Sequence, residues 1–156
     1  MRDDLLNEVI GALPGWLVRA QQFNDLVAAR LGVSSSDLQA LFVLSTEGSL
    51  TPGELGRQIG LTTGAASRMV ERLVVAELVT RSPDAADRRR VIVTARPEAL
   101  DEVARHYGPL NEQLRQALGG FDDAGLRALR DFARAAEATT EGLLRAEAPD
   151  TPTRTS

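Results

Sequence analysis

Two groups of arginines are the residues of this 156-residue chain best placed to do chemistry, and that chemistry is anion binding. Arg68 and Arg72 lie four residues apart, which puts them on one helix face. Like charges there repel by roughly 0.2–0.5 kcal/mol, a cost that a polyanion relieves. Just ahead stand Thr62, Thr63, Gly64, Ala65 and Ser67, small side chains expected on the exposed face at the start of the same helix. Small side chains let the start of a helix approach an anionic surface, and its free amides favour negative charge. Asp87-Arg88-Arg89-Arg90 is the second group. An arginine cluster on a flexible turn can enter a narrow, electronegative groove. Asp87, two residues before Arg89, is expected to hold that side chain by a charge-assisted hydrogen bond.

The charge is unevenly spread. All 18 basic residues are arginines, and the net charge of −4 divides into −3 over residues 1–49, +3 over 50–96 and −4 over 97–156. A basic middle between acidic ends points to an anionic partner for that middle. With no cysteine and one histidine, His106, thiol redox chemistry and zinc sites built from Cys or several His are excluded. No metal or cofactor is expected. No GxxxxGK[ST] phosphate loop occurs, since the stretch from Gly56 to Gly60 lacks the lysine. A Ser–His–Asp triad would have to use His106, and no nucleophile-elbow motif is present. Asp122-Asp123 reads as a helix start, where negative charge is favoured, and not as a metal dyad. An enzyme is therefore not expected. No apolar run reaches the roughly 18 residues of a membrane span, and the acidic start MRDDLLNEV is unlike a secretory signal. The expected compartment is the cytoplasm.

The elements that must position these arginines are mostly helical. Asp3-Asp4 opens a short turn interrupted by Pro14, and a longer helix runs from about Gly15 to Leu31, closed by Gly32. Its apolar stripe is Leu17, Ala20, Phe23, Leu26 and Val27. Ser34 to Asp37 caps a helix through Leu38, Leu41, Phe42 and Leu44. Thr51-Pro52-Gly53-Glu54 is a capping box with proline at the first helical position, and Gly60 ends that short helix. Thr62-Thr63 caps the next, which runs to about Glu77 and buries Ala66, Met69, Val70 and Leu73. Val79–Arg81 and Val91–Thr94 form one hairpin around a polar turn. A long helix from Pro97 is expected to kink or break at Gly108-Pro109. Phe121-Asp122 opens the last helix, with Phe121 placed to staple onto Leu126. Residues 149–156 are expected to be a disordered tail. Trp16, Phe23 and Phe42 read first as core residues.

Helix, helix, short helix, helix and hairpin is the order of a winged helix-turn-helix. The fold class is thus mainly α with a small β-hairpin wing, the core spanning about 35–96 within a single domain of residues 1–148. In such a fold the Thr62 helix enters a major groove and the wing a minor groove of double-stranded DNA. Four arginine–phosphate contacts per protomer of a dimer give a log–log salt slope of about −7. A helical module whose winged part binds protein stands as the alternative.

The run from Leu50 to Leu100 resembles the DNA-binding core of the MarR family of bacterial transcriptional regulators. The matching pieces are Glu54-Leu55 before Ile59-Gly60-Leu61, the pair Arg72-Leu73, and the wing from Asp84 through Asp87-Arg88-Arg89. Glu77 departs from the pattern, standing where the family commonly has glycine. The resemblance implies a homodimer joined through helices at about 3–31 and 97–147, acting as a ligand-responsive repressor on a pseudo-palindromic operator. It also implies a pocket for a small aromatic or phenolic effector between those helices and the core. The candidates there are Trp16, Arg19, Phe42, His106 and Tyr107.

Overall fold

The computed structural model describes residues 1–147. The expected tail at 149–156 lies outside the described residues. Among the described residues six helices and one hairpin follow in the order α1 (Arg2–Leu31), α2 (Ser35–Glu47), α3 (Pro52–Gln58), α4 (Thr63–Val75), β1 (Val79–Pro83), β2 (Val91–Ala95), α5 (Pro97–Leu118) and α6 (Asp123–Glu147). The chain gathers into two compact units, one ending at Pro109 and one starting at Leu110.

The helix starts follow the local chemistry. Ser34 caps α2 and Thr51 caps α3, each in a reciprocal box, with Asp37 and Glu54 reaching back to the cap amides. Thr62 accepts from the Ala65 amide at 3.3 Å and starts α4. Each cap satisfies a helical N–H that would otherwise lack a partner. Asp122 accepts from the Gly125 amide at 2.8 Å, so it caps α6 and puts Phe121 and Leu126 at the staple positions.

Neither proline ends its helix, which corrects the expected interruption at Pro14 and the expected break at Pro109. α1 runs unbroken through Pro14 and α5 through Pro109. Each proline is solvent-exposed, so water can satisfy the carbonyl one turn back that loses its donor. The single lost bond is outweighed by the rest of a 30- or 22-residue helix.

In the first unit the main core gathers Leu41 and Leu44 of α2, Leu55 of α3, Met69, Val70 and Leu73 of α4, and Val79 and Val93 of the hairpin. A second cluster joins Val27 and Ala28 of α1 to Leu38, with Phe23 and Tyr107 packed on it. Leu17, Leu26, Trp16 and Phe42 face solvent in the single chain, against their expected burial. For Phe42 the reason is positional. Leu38, Leu41 and Leu44 already occupy the inward face of α2, and Phe42 falls a hundred degrees past Leu41.

The hairpin pairs Val79 with Ala95 through to Pro83 with Val91 in antiparallel register, slightly longer than expected. Leu50 adds a bridge to Val93, exchanging both backbone bonds at 3.1 and 2.7 Å. Beside it the Ser49 and Thr94 hydroxyls meet at 2.7 Å. The wing is thereby tied to the residue preceding the α3 cap.

α4 ends at Val75, two residues before its expected end. Glu77 donates to the Val74 carbonyl and Leu78 to that of Leu73, at 3.0 and 2.9 Å. This bonding requires a left-handed residue at Glu77, whose φ is 58°. The same arrangement ends α1, with Gly32 at φ 69°.

Candidate nucleic-acid interface

Thr62, Thr63, Gly64 and Arg68 are exposed at the first turns of α4, while Ala65 and Ser67 are half-buried, deeper than expected. The Arg68 guanidinium folds back toward Gly64, within 3.7 Å of where a Cβ would stand there. A positive charge thus lies over the turn whose amides already favour anions. α3 supports α4 at very close range. A Cβ on Gly56 would fall 2.5 Å from the Ala66 Cβ, so the helix-turn-helix crossing depends on glycine at that place.

Arg72 is not free, which corrects the expectation that it stands beside Arg68 as an unpaired charge. Its Nη2 donates to Asp37 Oδ1 at 2.8 Å, with Nε at 3.5 Å from Oδ2. Asp37 is buried, and Oδ2 also accepts from the Ser34 amide at 3.1 Å. Burial pushes the Asp37 carboxyl up, but hydrogen bonds from Arg72 and Ser34 and the Arg72 charge bring it below its ordinary value. One carboxylate therefore caps α2 and holds α4 against it.

The wing arginines divide in the same way. Arg90 donates from Nη2 to Glu54 Oε1 at 2.9 Å and lies 3.9 Å from Asp84 Oδ2. Asp87 accepts from the Arg89 backbone amide at 3.0 Å, so it shapes the turn and does not hold the Arg89 guanidinium as expected. Arg88 and Arg89 project from the tip, exposed. Among the described residues, Arg68, Arg88 and Arg89 form no ion pair, whereas Arg72 and Arg90 do. The pairings of Asp37 and Glu54 were not foreseen. Each carboxylate was visible in the sequence as a helix cap, but the second partner lies some 35 residues away.

The five pocket candidates stand in different settings. Trp16 and Phe42 are exposed, and Arg19 donates to Gln22 at 2.8 Å. The Tyr107 hydroxyl donates to Asn24 at 2.6 Å while its ring meets Phe23 edge-on at 5.5 Å, and half-buried His106 lies next to it in sequence. Desolvation raises the Tyr107 pKa, so the hydroxyl stays protonated as a donor. A cavity of about 240 Å³ lies elsewhere, lined by Gly32, Val33, Ser34, Asp37, Arg72, Leu73 and Ala76.

Comparison with known proteins decides the family. The MarR family profile matches residues 31–90. The HTH-type transcriptional regulator YcgE of Bacillus subtilis is 31% identical over 128 residues, covering 81% of this chain and 83% of that protein. The chain belongs to the MarR family. As a MarR-family protein it is a DNA-binding winged-helix transcriptional regulator. The fold agrees with that of a MarR family protein from Bacillus stearothermophilus, with a TM-score of 0.69 at 19% identity over 90% of this chain and 98% of the other. A mutant E. coli MarR solved with operator DNA matches at a TM-score of 0.51 and 22% identity, over 85% of this chain and 97% of that one. Nothing in these likenesses favours a protein-binding module. The glycine that the family pattern carries before the wing corresponds to Glu77, and the left-handed backbone is kept there without it.

Proposed function

We propose that this MarR-family regulator acts in the cytoplasm as a homodimer, a repressor in role and not an enzyme, on a two-fold symmetric DNA operator. The observation that carries the reading is the division of its arginines. Asp37 and Glu54 hold Arg72 and Arg90, while Arg68 at the start of α4 and Arg88 and Arg89 at the wing tip remain exposed. In this reading α4 lies in the major groove, with Arg68 reading base edges, and the wing tip enters the adjacent minor groove.

Dimerisation is supported by apolar stripes that the single chain leaves open. Leu5, Leu6, Val9 and Ile10 line one on α1, and Leu126, Leu129, Phe132 and Leu143 line one on α6. Exposed stripes of that length are stable in water only when covered. A partner chain thus joins the expected single domain, with residues 3–31 and 97–147 as its dimerisation helices.

Selection of duplexes from a randomised pool tests the reading. The expected result is symmetric half-sites about one helical turn, roughly 34 Å, apart. With Arg72 and Arg90 held by carboxylates, the three exposed arginines left in the two groups, Arg68, Arg88 and Arg89, lower the expected salt slope from about −7 to about −5. A slope shallower than about −2, with no sequence enriched, would overturn the proposal. A small aromatic or phenolic effector belongs to the same reading. The sole tryptophan, exposed Trp16, reports on it when aromatic carboxylates are titrated against DNA release and fluorescence together.

A further inference from the structure

We propose that Arg90 is a positioning residue that pins the root of the wing to α3 and thereby aims Arg88 and Arg89, and that it makes no DNA contact of its own. The proposal rests on the DNA-binding reading but concerns a different part of the molecule's work.

Arg90 closes the wing with its backbone and anchors it with its side chain. Its carbonyl accepts from the Asp84 amide and its amide donates to the Asp87 carbonyl, both at 2.9 Å. The guanidinium then turns away from the tip, to Glu54 Oε1 and toward Asp84. Glu54 is itself fixed. Its other oxygen, Oε2, accepts from the Thr51 amide at 2.8 Å and the Thr51 hydroxyl at 2.7 Å. Those two bonds, with the positive charges of Arg90 and Arg57, keep the carboxyl below its ordinary pKa and so ionised. Thr51 follows Leu50, whose backbone pairs with Val93 of β2. Besides the core packing of Val79 and Val93, the wing is thus tied to the start of α3 by a backbone bridge at its base and by the Arg90–Glu54 pair nearer its tip. Asp84 holds the turn between them, accepting from the Ala86 amide at 2.9 Å.

Both partners are partly exposed, so the pair biases the wing and does not lock it. A bias of that size changes the fraction of correctly aimed wings by about two- to fivefold per protomer. The sign of one substitution separates this role from a direct contact. Glu54→Gln removes a negative charge from the DNA-binding side, so electrostatics alone would tighten binding to any duplex. The positioning role demands the reverse. Glutamine preserves the helix cap, because it serves as well as glutamate at the third position of a capping box.

The experiment compares wild type, Glu54→Gln, Arg90→Gln and the double variant, using a duplex selected by the wild-type protein. Expected are binding about two- to fivefold weaker per protomer in each single variant, a double variant no worse than either, and a salt slope unchanged throughout. Trypsin supplies a readout without DNA, because Glu54→Gln leaves the bonds after Arg88 and Arg89 intact. Cleavage there should rise by a similar factor at unchanged thermal midpoint. The proposal is overturned if Glu54→Gln binds as tightly as wild type or more so, or if tryptic cleavage of the wing is unaltered. It is equally overturned if Arg90→Gln makes the slope shallower by about two per dimer, the mark of a lost phosphate contact on each protomer. Failure of the wild-type protein to bind any duplex would instead sink the DNA reading, leaving the trypsin result to judge the pair.

Discussion

Replacing Glu77 by glycine should stabilise the protein. The residue sits at φ 58° because the end of α4 is bonded as at Gly32, with the amides of Glu77 and Leu78 reaching back to Val74 and Leu73. A left-handed conformation costs a residue with a Cβ about 1–2 kcal/mol. Glycine removes that cost but gains freedom in the unfolded chain, which offsets about 0.4–1 kcal/mol. Both bonds at the turn come from backbone groups, so neither depends on the glutamate side chain. The net gain is about 0.5–1 kcal/mol, or about 1–4 °C in thermal midpoint for a domain of this size. The assay is thermal unfolding of wild type, Glu77→Gly and Glu77→Ala at one protomer concentration, because association shifts the midpoint. Alanine keeps the Cβ and should gain nothing. DNA affinity should not change, since the backbone path into β1 is the same. A Glu77→Gly protein no more stable than Glu77→Ala would refute the strain argument.

Three further outcomes are expected. Asp37→Asn should cost about 1–2 kcal/mol near neutral pH, because Arg72 loses its buried counter-charge while the α2 cap persists. The folded Asp37 pKa is lowered, so its stabilisation is present above the unfolded value of about 3.9 and is lost as pH falls through the folded one; the wild-type advantage in urea titrations should therefore be full near neutral pH, begin to shrink below about pH 4 and disappear only once the pH lies below the folded value. Gly56→Ala places a methyl about 1 Å inside ordinary contact with Ala66 and should destabilise by about 1–2 kcal/mol after its helix-propensity gain, with Ala66→Gly in the same chain restoring part of the loss in thermal unfolding. In binding assays on paired sequences, Arg89→Ala should weaken all duplexes alike, whereas Arg68→Ala should relax preference at one or two positions by about 1–3 kcal/mol; equal losses on selected and random DNA would remove Arg68 from the base-reading role.

What could be read in advance was what is local. The caps at Ser34, Thr51 and Thr62 and the buried stripe of α4 are set by residues within four positions of one another and stand as expected, and the hairpin, marked by two β-branched runs around one polar turn, forms where expected and somewhat longer. Neither proline ends its helix, because a single missing bond is small beside the other bonds of a 30- or 22-residue helix. Phe42 is exposed because helical phase, and not aromatic character, sets burial on α2. At the interface, the arginines were found but not sorted. Sorting them needs Asp37 beside Arg72 and Glu54 beside Arg90, and those meetings depend on tertiary packing that no local spacing encodes.

The hydroxyl contact between Ser49 and Thr94, next to the Leu50–Val93 bridge, also orders the assembly of the chain in time. It closes a loop of 45 residues that contains α3, α4, β1 and the wing tip. Bringing its ends together costs about 3 kcal/mol in chain entropy before any contact repays it. The helices it encloses are made of neighbours in sequence and can form on the microsecond scale. The closure is the most distant meeting in that segment and belongs late in folding. A chain made only as far as Arg90 lacks both Val93 of the core and the strand that fastens the wing, so the basic tip acquires a fixed direction only after β2 has been made.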